Sequence, residues 1–195
     1  MREGRGEIIF AIGHSTRSAE EFVDILKAHG VTLLVDIRTI PKSRHNPQFN
    51  GDFLERKLNQ EGLGYIHMKE LGGLRRPKGD SLFPTLAWKN QSFRGYADYM
   101  QTREFRRALD RLIILAKKES IAIMCAEGNP YRCHRLLLSD ALIVRGVRVV
   151  HISSRKGAGR EHHLTSFAKV IDGLVFYPVP EPEADQQQQE EEGGG

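Results

Sequence analysis

The segment "EIIFAIGHSTRSAEEFVDILKAHGVTLLVDIR", residues 7–38, decides the fold. Its first six residues are mostly apolar and predict a strand, and residues 31–38 form the near-continuous apolar run that is typical of a buried parallel strand. Between the two, Ser18 and Glu21 have the spacing of a capping box, which predicts the start of a helix. A strand, a helix and a second strand in this order indicate a right-handed βαβ unit.

The same alternation of elements continues to residue 178. The spacing of apolar residues, and the turn residues between them, predict the remaining elements. These are helices over about 51–61, 88–100, 102–118, 135–146 and 161–171, and strands over 64–68, 121–125, 147–152 and 174–178, the last at an edge. The order predicts an α/β fold, a three-layer sandwich with a mainly parallel sheet of about five to six strands.

The net charge of the chain is unevenly distributed. Residues 181–195, "EPEADQQQQEEEGGG", contain six of the 25 acidic residues and none of the 29 basic ones, so the rest of the chain has a net charge of +10. We predict that this segment is a disordered low-complexity tail after a single α/β domain over residues 1–180. The basic domain predicts an anionic small molecule or a nucleic acid as partner, with a solvated cationic surface as the alternative.

The apolar segments of the chain are short. None approaches the ~20 residues that cross a bilayer, and the apolar run near the N-terminus is interrupted by Gly13 and His14, unlike the core of a signal peptide. We therefore predict a cytoplasmic protein that does not insert into a membrane. In that compartment Cys125 and Cys133 are expected as reduced thiols and not as a disulfide framework.

Polar and charged side chains follow the predicted strands at their carboxyl ends. Ligands of open α/β sheets bind outside this edge, near a reversal of the strand order. We predict Cys125, His14 and Glu127 as catalytic residues. The predicted substrate-binding residues are Ser15, Asp36, Arg38, Arg44, Arg132, His134 and Arg135.

The segment "IMCAEGNPYRCHR", residues 123–135, contains both cysteines of the chain. Asn129 and Pro130 have the residue types of a helix N-cap and a first helical position, where backbone N–H groups favour an anion. A thiol beside such a position and near arginines can be a thiolate nucleophile, which points to Cys125 as nucleophile or redox thiol. Cys133 has the helical spacing of a buried face and is expected to pack in the core.

Histidine and arginine at this edge have their own predicted roles. Histidine suits proton transfer near neutral pH, which favours His14 as acid or base, beside Glu127. Guanidinium groups bind phosphate or carboxylate in a bidentate way, which favours Arg38 as an anion ligand. A purely structural ion pair between Arg38 and Asp36 is the alternative.

Two other known patterns fit these residue types in part. The spacing from Cys125 to Arg132 is similar to the loop of phosphatases and sulfurtransferases, although this loop has one glycine and its proline lacks an amide donor. Metal-ligand types are also found at Cys125, Cys133, His134, His14 and Asp36, but the spacing of the cysteines matches no common zinc motif. The sequence therefore assigns neither a metal nor a cofactor.

Several motifs together resemble one family. They are "IGHSTRSAEEF", "VDIRTIPKSRHNPQFN", "ELGGLRRP", "SFRGYADYMQT", "IMCAEGNPYRCHR" and "HLTSFAKVIDGLVFYP", which occur in this order over residues 8–178. They are similar to the motifs of the bacterial and archaeal domain-of-unknown-function 488 family. The resemblance implies a compact α/β domain and signature residues, which match His14, Ser15, Asp36, Arg38, Cys125, Glu127, Cys133, His134 and Arg135 here. It implies no reaction, because none is established for the family.

These observations lead to three functional hypotheses. The first is an enzyme that acts on a phosphorylated or nucleotide-like substrate through the Cys, His and Arg residues at the strand ends. The second is a non-catalytic nucleic-acid-binding or regulatory module, which the basic domain favours. The third is a metal-binding domain that uses both cysteines and a histidine.

Overall fold

The computed structural model describes residues 7–77 and 85–179. The strands are β1 (Ile8–Gly13), β2 (Leu33–Asp36), β3 (Gly64–His67), β4 (Ile121–Cys125), β5 (Arg148–His151), β6 (Arg160–Glu161), β7 (Lys169–Ile171) and β8 (Leu174–Phe176). The α-helices are α1 (Ala19–Ala28), α2 (Gly51–Gln60), α3 (Gln91–Met100), α4 (Arg103–Ala116) and α5 (Arg135–Val144). Short 3-10 helices lie at Pro47–Phe49, Lys69–Leu71 and Pro130–Arg132.

Within the described residues, six strands form one sheet in the order β3-β2-β4-β1-β5-β6. The first five strands are parallel to one another, and β6 pairs antiparallel with β5. Helices cover both faces of this sheet. The predicted α/β sandwich with a mainly parallel sheet is therefore confirmed.

The two faces of the sheet are set by the alternation of side chains along each strand. In β4, Ile121, Ile123 and Cys125 pack against α3, α4 and α5, whereas Ala122 and Met124 pack against α1 and α2. All five residues are buried, as expected for a central strand that is covered on both sides. This alternation places the Cys125 side chain on the same face as α5.

The start of α1 follows from local chemistry. The Ser18 hydroxyl accepts a hydrogen bond from the backbone N–H of Glu21, at 3.1 Å, and satisfies a donor that the first turn would leave free. Phe22, Ile25 and Leu26 are buried on the inner side of the helix. The capping box and the apolar spacing thus predict this helix correctly.

The predicted helix over residues 161–171 is wrong. Its first residue is in β6 and its last three are in β7, which pairs with β8 as a separate two-stranded sheet. Residues 174–178 are therefore not an edge strand of the main sheet. The backbone N–H of Thr165 donates to the Asp140 carboxylate at 3.0 Å instead of to a helical carbonyl. This contact with α5 is distant in sequence, so local spacing does not reveal it.

Asp140, which is buried in α5, holds this last segment in place. Its carboxylate accepts hydrogen bonds from the Tyr177 hydroxyl at 2.8 Å and from the Thr165 hydroxyl at 2.7 Å. His162 Nε2 lies 2.9 Å from the same carboxylate, and His162 Nδ1 lies 3.1 Å from His151 Nε2. Burial, and then the neighbouring His162, lower the pKa of His151 to about 4. The side-chain contacts that run from Asp140 through His162 to His151 therefore hold the segment after β5 against the sheet.

Two sequence predictions concern the chain ends and membranes. The predicted disordered tail over residues 181–195 lies outside the described residues. Over the ranges that the structure describes, no helix has both the length and the apolar character needed to cross a bilayer.

We predict that Asp140→Asn lowers the free energy of unfolding by about 3 kcal/mol or more. The amide nitrogen cannot accept hydrogen bonds, so buried donors of Thr165, Tyr177 and His162 compete for one remaining oxygen. Urea-induced unfolding at neutral pH measures the change.

The matched control is Asp110→Asn on the surface of α4. Asp110 pairs with Arg145 at 2.6 Å, and both side chains are well exposed, so the loss should be at most about 1 kcal/mol. Equal destabilisation by the two substitutions would contradict the role of Asp140 in holding the last segment.

Candidate functional site

The carboxyl ends of β1 and β4 lie side by side. Gly13 is opposite Cys125 in the parallel register, and the backbone N–H of His14 donates to the Cys125 carbonyl at 3.0 Å. The chain leaves β1 through α1 towards β2, and it leaves β4 through α5 towards β5 on the opposite side. This is the reversal of strand order at which open α/β sheets bind ligands. A cavity of about 610 Å³ lies at this edge.

The structure brings most predicted site residues to this cavity. Those that line it are His14, Arg38, Cys125, Glu127, Arg132 and His134. The residues that do not line it are Ser15, Asp36, Arg44 and Arg135. Cys133, predicted to pack in the core, is buried and also lines the cavity.

Gly13 allows the loop after β4 to pass close to the end of β1. A Cβ atom at this position would overlap the backbone carbonyl of Glu127 and would lie 2.9 Å from Arg135 Nη2. Arg135 Nη2 donates to the same Glu127 carbonyl at 2.5 Å. The absence of a side chain at position 13 therefore lets a buried guanidinium fix the path of the loop.

Arg135 is the largest side chain buried in the core, with 1% of its surface exposed. Among residues 7–77 and 85–179, no carboxylate forms an ion pair with it, and its Nε has no hydrogen-bond partner. A guanidinium remains protonated in proteins, so this buried cation favours negative charge nearby. The backbone N–H of Arg135 points to Cys133 Sγ at 3.5 Å.

The two cysteines are in direct contact. Both are free and buried, and their Sγ atoms are 2.6 Å apart. Burial, and then the hydrogen bond to Cys133, raise the pKa of the Cys125 thiol well above its ordinary value. Burial also opposes ionisation of Cys133, but the hydrogen bonds with Cys125 and His134 outweigh it and lower the pKa of Cys133. The geometry favours Cys133 as the thiolate, because His134 Nδ1 and the backbone N–H of Arg135 both lie 3.5 Å from its sulfur.

His134 completes the surroundings of the Cys133 sulfur. Its Nδ1 lies 3.5 Å from Cys133 Sγ, and its Nε2 lies 3.2 Å from the Ile37 carbonyl. Because the carbonyl requires a proton on Nε2, Nδ1 of the neutral ring is the atom that can take the thiol proton. Gly73 packs so closely against this ring that a Cβ there would overlap it. His134 is thus placed as the base of Cys133, a role that the sequence did not indicate.

His14 provides a second base in the cavity wall. Its Nδ1 lies 2.8 Å from the Ser15 carbonyl, which places the proton of the neutral ring on Nδ1, and the ring stacks on Phe49 at 4.3 Å. Its Nε2 is buried and has no partner within the described parts of the chain. Burial lowers the pKa of His14. The free Nε2 lone pair can therefore accept a proton near neutral pH.

The Asp36–Arg38 pair is first of all structural. Arg38 Nε and Nη2 donate to the two carboxylate oxygens of Asp36 at 2.9 and 2.5 Å, and Nη2 also donates to the Phe49 carbonyl. The Tyr65 hydroxyl donates to the same carboxylate at 2.9 Å. These contacts neutralise most of the charge of Arg38. Only its Nη1 lacks a partner in the described structure.

The lining of the cavity includes both exposed cations and exposed apolar side chains. Lys42 and Arg132 are exposed cations that line it, and sequence analysis did not single out Lys42. Ile40 and Leu74 also line it, with 58% and 69% of their surfaces exposed, as does the buried Phe93. The arrangement suits a ligand that has both an anionic group and an apolar part.

Three backbone amides at the end of the cysteine loop donate hydrogen bonds within the loop. The N–H groups of Tyr131 and Arg132 donate to the Asn129 side chain and carbonyl, at 2.9 and 3.2 Å, and that of Cys133 donates to the Pro130 carbonyl at 3.2 Å. Asn129 therefore caps a 3-10 helix and not α5, which begins at Arg135.

The residues predicted as metal ligands do not form a metal site in the described structure. Within residues 7–77 and 85–179, no three His, Cys, Asp or Glu side chains are grouped so that they could hold a metal ion. Asp36 is occupied by Arg38 and Tyr65, and His14 stacks on Phe49.

We predict that iodoacetamide at about pH 7, below the ordinary thiol pKa of about 8.5, modifies Cys133 before Cys125. Trypsin cleaves after Arg132, so mass spectrometry assigns each adduct to the peptide 119–132 or 133–135. Cys125→Ala should slow the labelling of Cys133 at this pH, because the thiolate loses its hydrogen-bond donor. Faster modification of Cys125, which the sequence predicts as nucleophile, would contradict the assignment of the thiolate to Cys133.

Comparison with known proteins gives a family and no further relative. No curated protein and no solved structure matches the chain. The model of the family described as "Domain of unknown function DUF488" matches residues 18–142, which include β2, β3, β4 and both cysteines. The chain therefore belongs to the DUF488 family.

Proposed function

We propose that the protein is an enzyme that acts on a small phosphorylated or nucleotide-like substrate, with a cysteine thiolate as nucleophile. The observation that carries the proposal is the contact of two buried thiols in the wall of a cavity that two histidines also line. The backbone N–H of Arg135 lies 3.5 Å from the Cys133 sulfur, and the positive charge of the same residue favours a thiolate there. Thiolates in such electropositive surroundings are reactive, whereas structural buried cysteines are inert.

The surroundings of the two sulfur atoms favour one of them as the nucleophile. Cys133 receives hydrogen bonds from the Cys125 thiol and from the backbone N–H of Arg135, at 2.6 and 3.5 Å. His134 Nδ1, at 3.5 Å, is positioned to take the thiol proton. We assign Cys133 as nucleophile and Cys125 as the donor that stabilises its thiolate. The earlier prediction of Cys125 as nucleophile remains the competing assignment.

The residues that line the cavity indicate the class of substrate. Arg132 and Lys42 provide exposed positive charge for a phosphate, and Arg38 Nη1 is a buried donor without a partner among residues 7–77 and 85–179. Ile40 and Leu74 offer an apolar surface in the same cavity. A nucleotide or another phosphate with an apolar or aromatic portion would contact both the cations and the apolar side chains.

Turnover consists of two reactions. Attack of the Cys133 thiolate on the electrophilic centre of the substrate forms a covalent bond to sulfur and displaces a leaving group. Water then releases the product, and His14 Nε2 accepts the proton of that water. Glu127, whose side chain is exposed at the cavity, is the alternative proton acceptor.

The nucleic-acid alternative rests on a different part of the surface. Helix α4 exposes four arginines, which are Arg103, Arg106, Arg107 and Arg111. By contrast, Arg75 in the loop after β3 stacks on Tyr99 at 3.6 Å and donates to two backbone carbonyls, so it supports the structure. Nucleic-acid binding would weaken steeply with salt and would depend on α4.

We predict that adenosine monophosphate binds to the cavity and that adenosine, which lacks the phosphate, binds at least about tenfold more weakly. Arg132→Gln should reduce the affinity for the phosphate by a similar factor. Calorimetric titration measures both. The matched control is Arg44→Gln, which removes an exposed arginine that does not line the cavity and should leave binding unchanged.

Turnover is then tested with a panel of nucleotides and phosphate esters. Cys133→Ser should retain binding and lose activity by about a hundredfold or more. Full activity of Cys133→Ser would overturn the thiolate mechanism. Binding to oligonucleotides that requires α4 arginines and ignores Arg132 would favour the nucleic-acid module.

A further inference from the structure

We propose that Cys125 and Cys133 form a reversible intrachain disulfide that switches the site off. The inference rests on the proposed function only in taking Cys133 as the reactive thiolate. It adds a modification site and a form of regulation that catalysis does not require.

The two cysteines are already placed for a disulfide bond. The two sulfur atoms are already in contact at 2.6 Å, although neither cysteine is oxidised. Cys125 is fixed by the pairing of β4 with β1, and the backbone N–H of Cys133 is fixed by the Pro130 carbonyl at 3.2 Å. The bond therefore requires little movement of the backbone, which is the usual obstacle to bridging two cysteines.

The two thiols of the pair differ in their chemical surroundings. Efficient thiol oxidation needs one thiolate to attack and a second thiol close by to resolve the product. Cys133 has His134 Nδ1 and the Arg135 N–H at 3.5 Å, whereas the contacts of the Cys125 sulfur are Cys133 and, at 3.8 Å, the Glu127 carbonyl. The carbonyl oxygen does not stabilise a thiolate, so Cys125 is suited to remain a thiol until it resolves.

Access to the two cysteines is restricted to small molecules. Both cysteines line the cavity of about 610 Å³, although only 2% and 4% of their surfaces are exposed. A molecule as small as hydrogen peroxide can enter this space, whereas the sulfur atom of another protein cannot approach as closely. The geometry therefore favours an intrachain bond over a bond between two chains.

The reaction with a hydroperoxide balances in two steps. The Cys133 thiolate attacks one peroxide oxygen, the O–O bond breaks, and the leaving alkoxide or hydroxide takes a proton from water. Cys133 is then a sulfenic acid. Cys125 Sγ attacks the Cys133 sulfur, the S–O bond breaks, and the departing hydroxide leaves as water with the Cys125 proton. The peroxide is reduced by two electrons and the thiol pair is oxidised by two.

Oxidation removes the proposed nucleophile and its hydrogen-bond donor together. A dithiol restores both by thiol–disulfide exchange. The site would thus be active when reduced and inactive when oxidised, without any change in the remainder of the fold.

The test is oxidation of the reduced full-length protein with hydrogen peroxide, followed by blocking of free thiols and digestion with trypsin. Cleavage after Lys118, Arg132 and Arg135 separates the cysteines, so the disulfide links the peptides 119–132 and 133–135. We expect this linked species, and we expect dithiothreitol to convert it back to two free thiols. Cys125→Ser should instead stop at a sulfenic acid on Cys133, which dimedone traps.

Cys133→Ser is the matched control. It should consume peroxide at least about tenfold more slowly than the unsubstituted protein, because it lacks the favoured thiolate. Two free thiols after peroxide treatment, or a disulfide only between chains, would overturn the inference. The measurement uses no substrate. Failure of nucleotide binding with a normal disulfide would reject the proposed function alone, and the reverse result would reject the switch alone.

Discussion

The buried guanidinium of Arg135 is the constraint on which the site depends. It holds the Glu127 carbonyl over the end of β1, in space that is open only because residue 13 is glycine. The same residue directs its backbone N–H to the Cys133 sulfur. A cation without a carboxylate partner in the described structure is costly to bury. A thiolate at Cys133 reduces that cost, so the path of the loop and the charge of the sulfur are coupled.

The two cavity histidines have different surroundings and so different chemistry. His134 contacts the Cys133 sulfur and a backbone carbonyl, whereas His14 has one buried nitrogen without a partner in the described chain. The pair of Asp36 and Arg38 lies behind them and largely neutralises itself. In the proposed function, Cys133 has its own base, His134, and His14 is a second base. The exposed cations Arg132 and Lys42 then bind the charge of the substrate.

The sequence predicts the parts of this structure that local chemistry determines. The capping serine of α1, the apolar strands and the strand-end position of Cys125 follow from residue type and spacing. Contacts between distant residues were beyond it. Because Asp140 accepts hydrogen bonds from the last segment, residues 161–171 form a loop and strands and not the predicted helix. The Asp36 carboxylate pairs with Arg38, which was expected to bind an anion. Cys133 has the spacing of a core residue because it is one, but the Cys125 sulfur across the loop gives it a second role.

The most direct test of the account is a pH titration of the reduced protein labelled with carbon-13 at the cysteine Cβ atoms. The chemical shift of each Cβ reports ionisation of its own sulfur, and Cys→Ser variants assign the two signals. The account predicts that the Cys133 signal titrates first, below the ordinary thiol pKa of about 8.5, while Cys125 remains a thiol. Titration of Cys125 first, or of both signals together at the ordinary pKa, would contradict it.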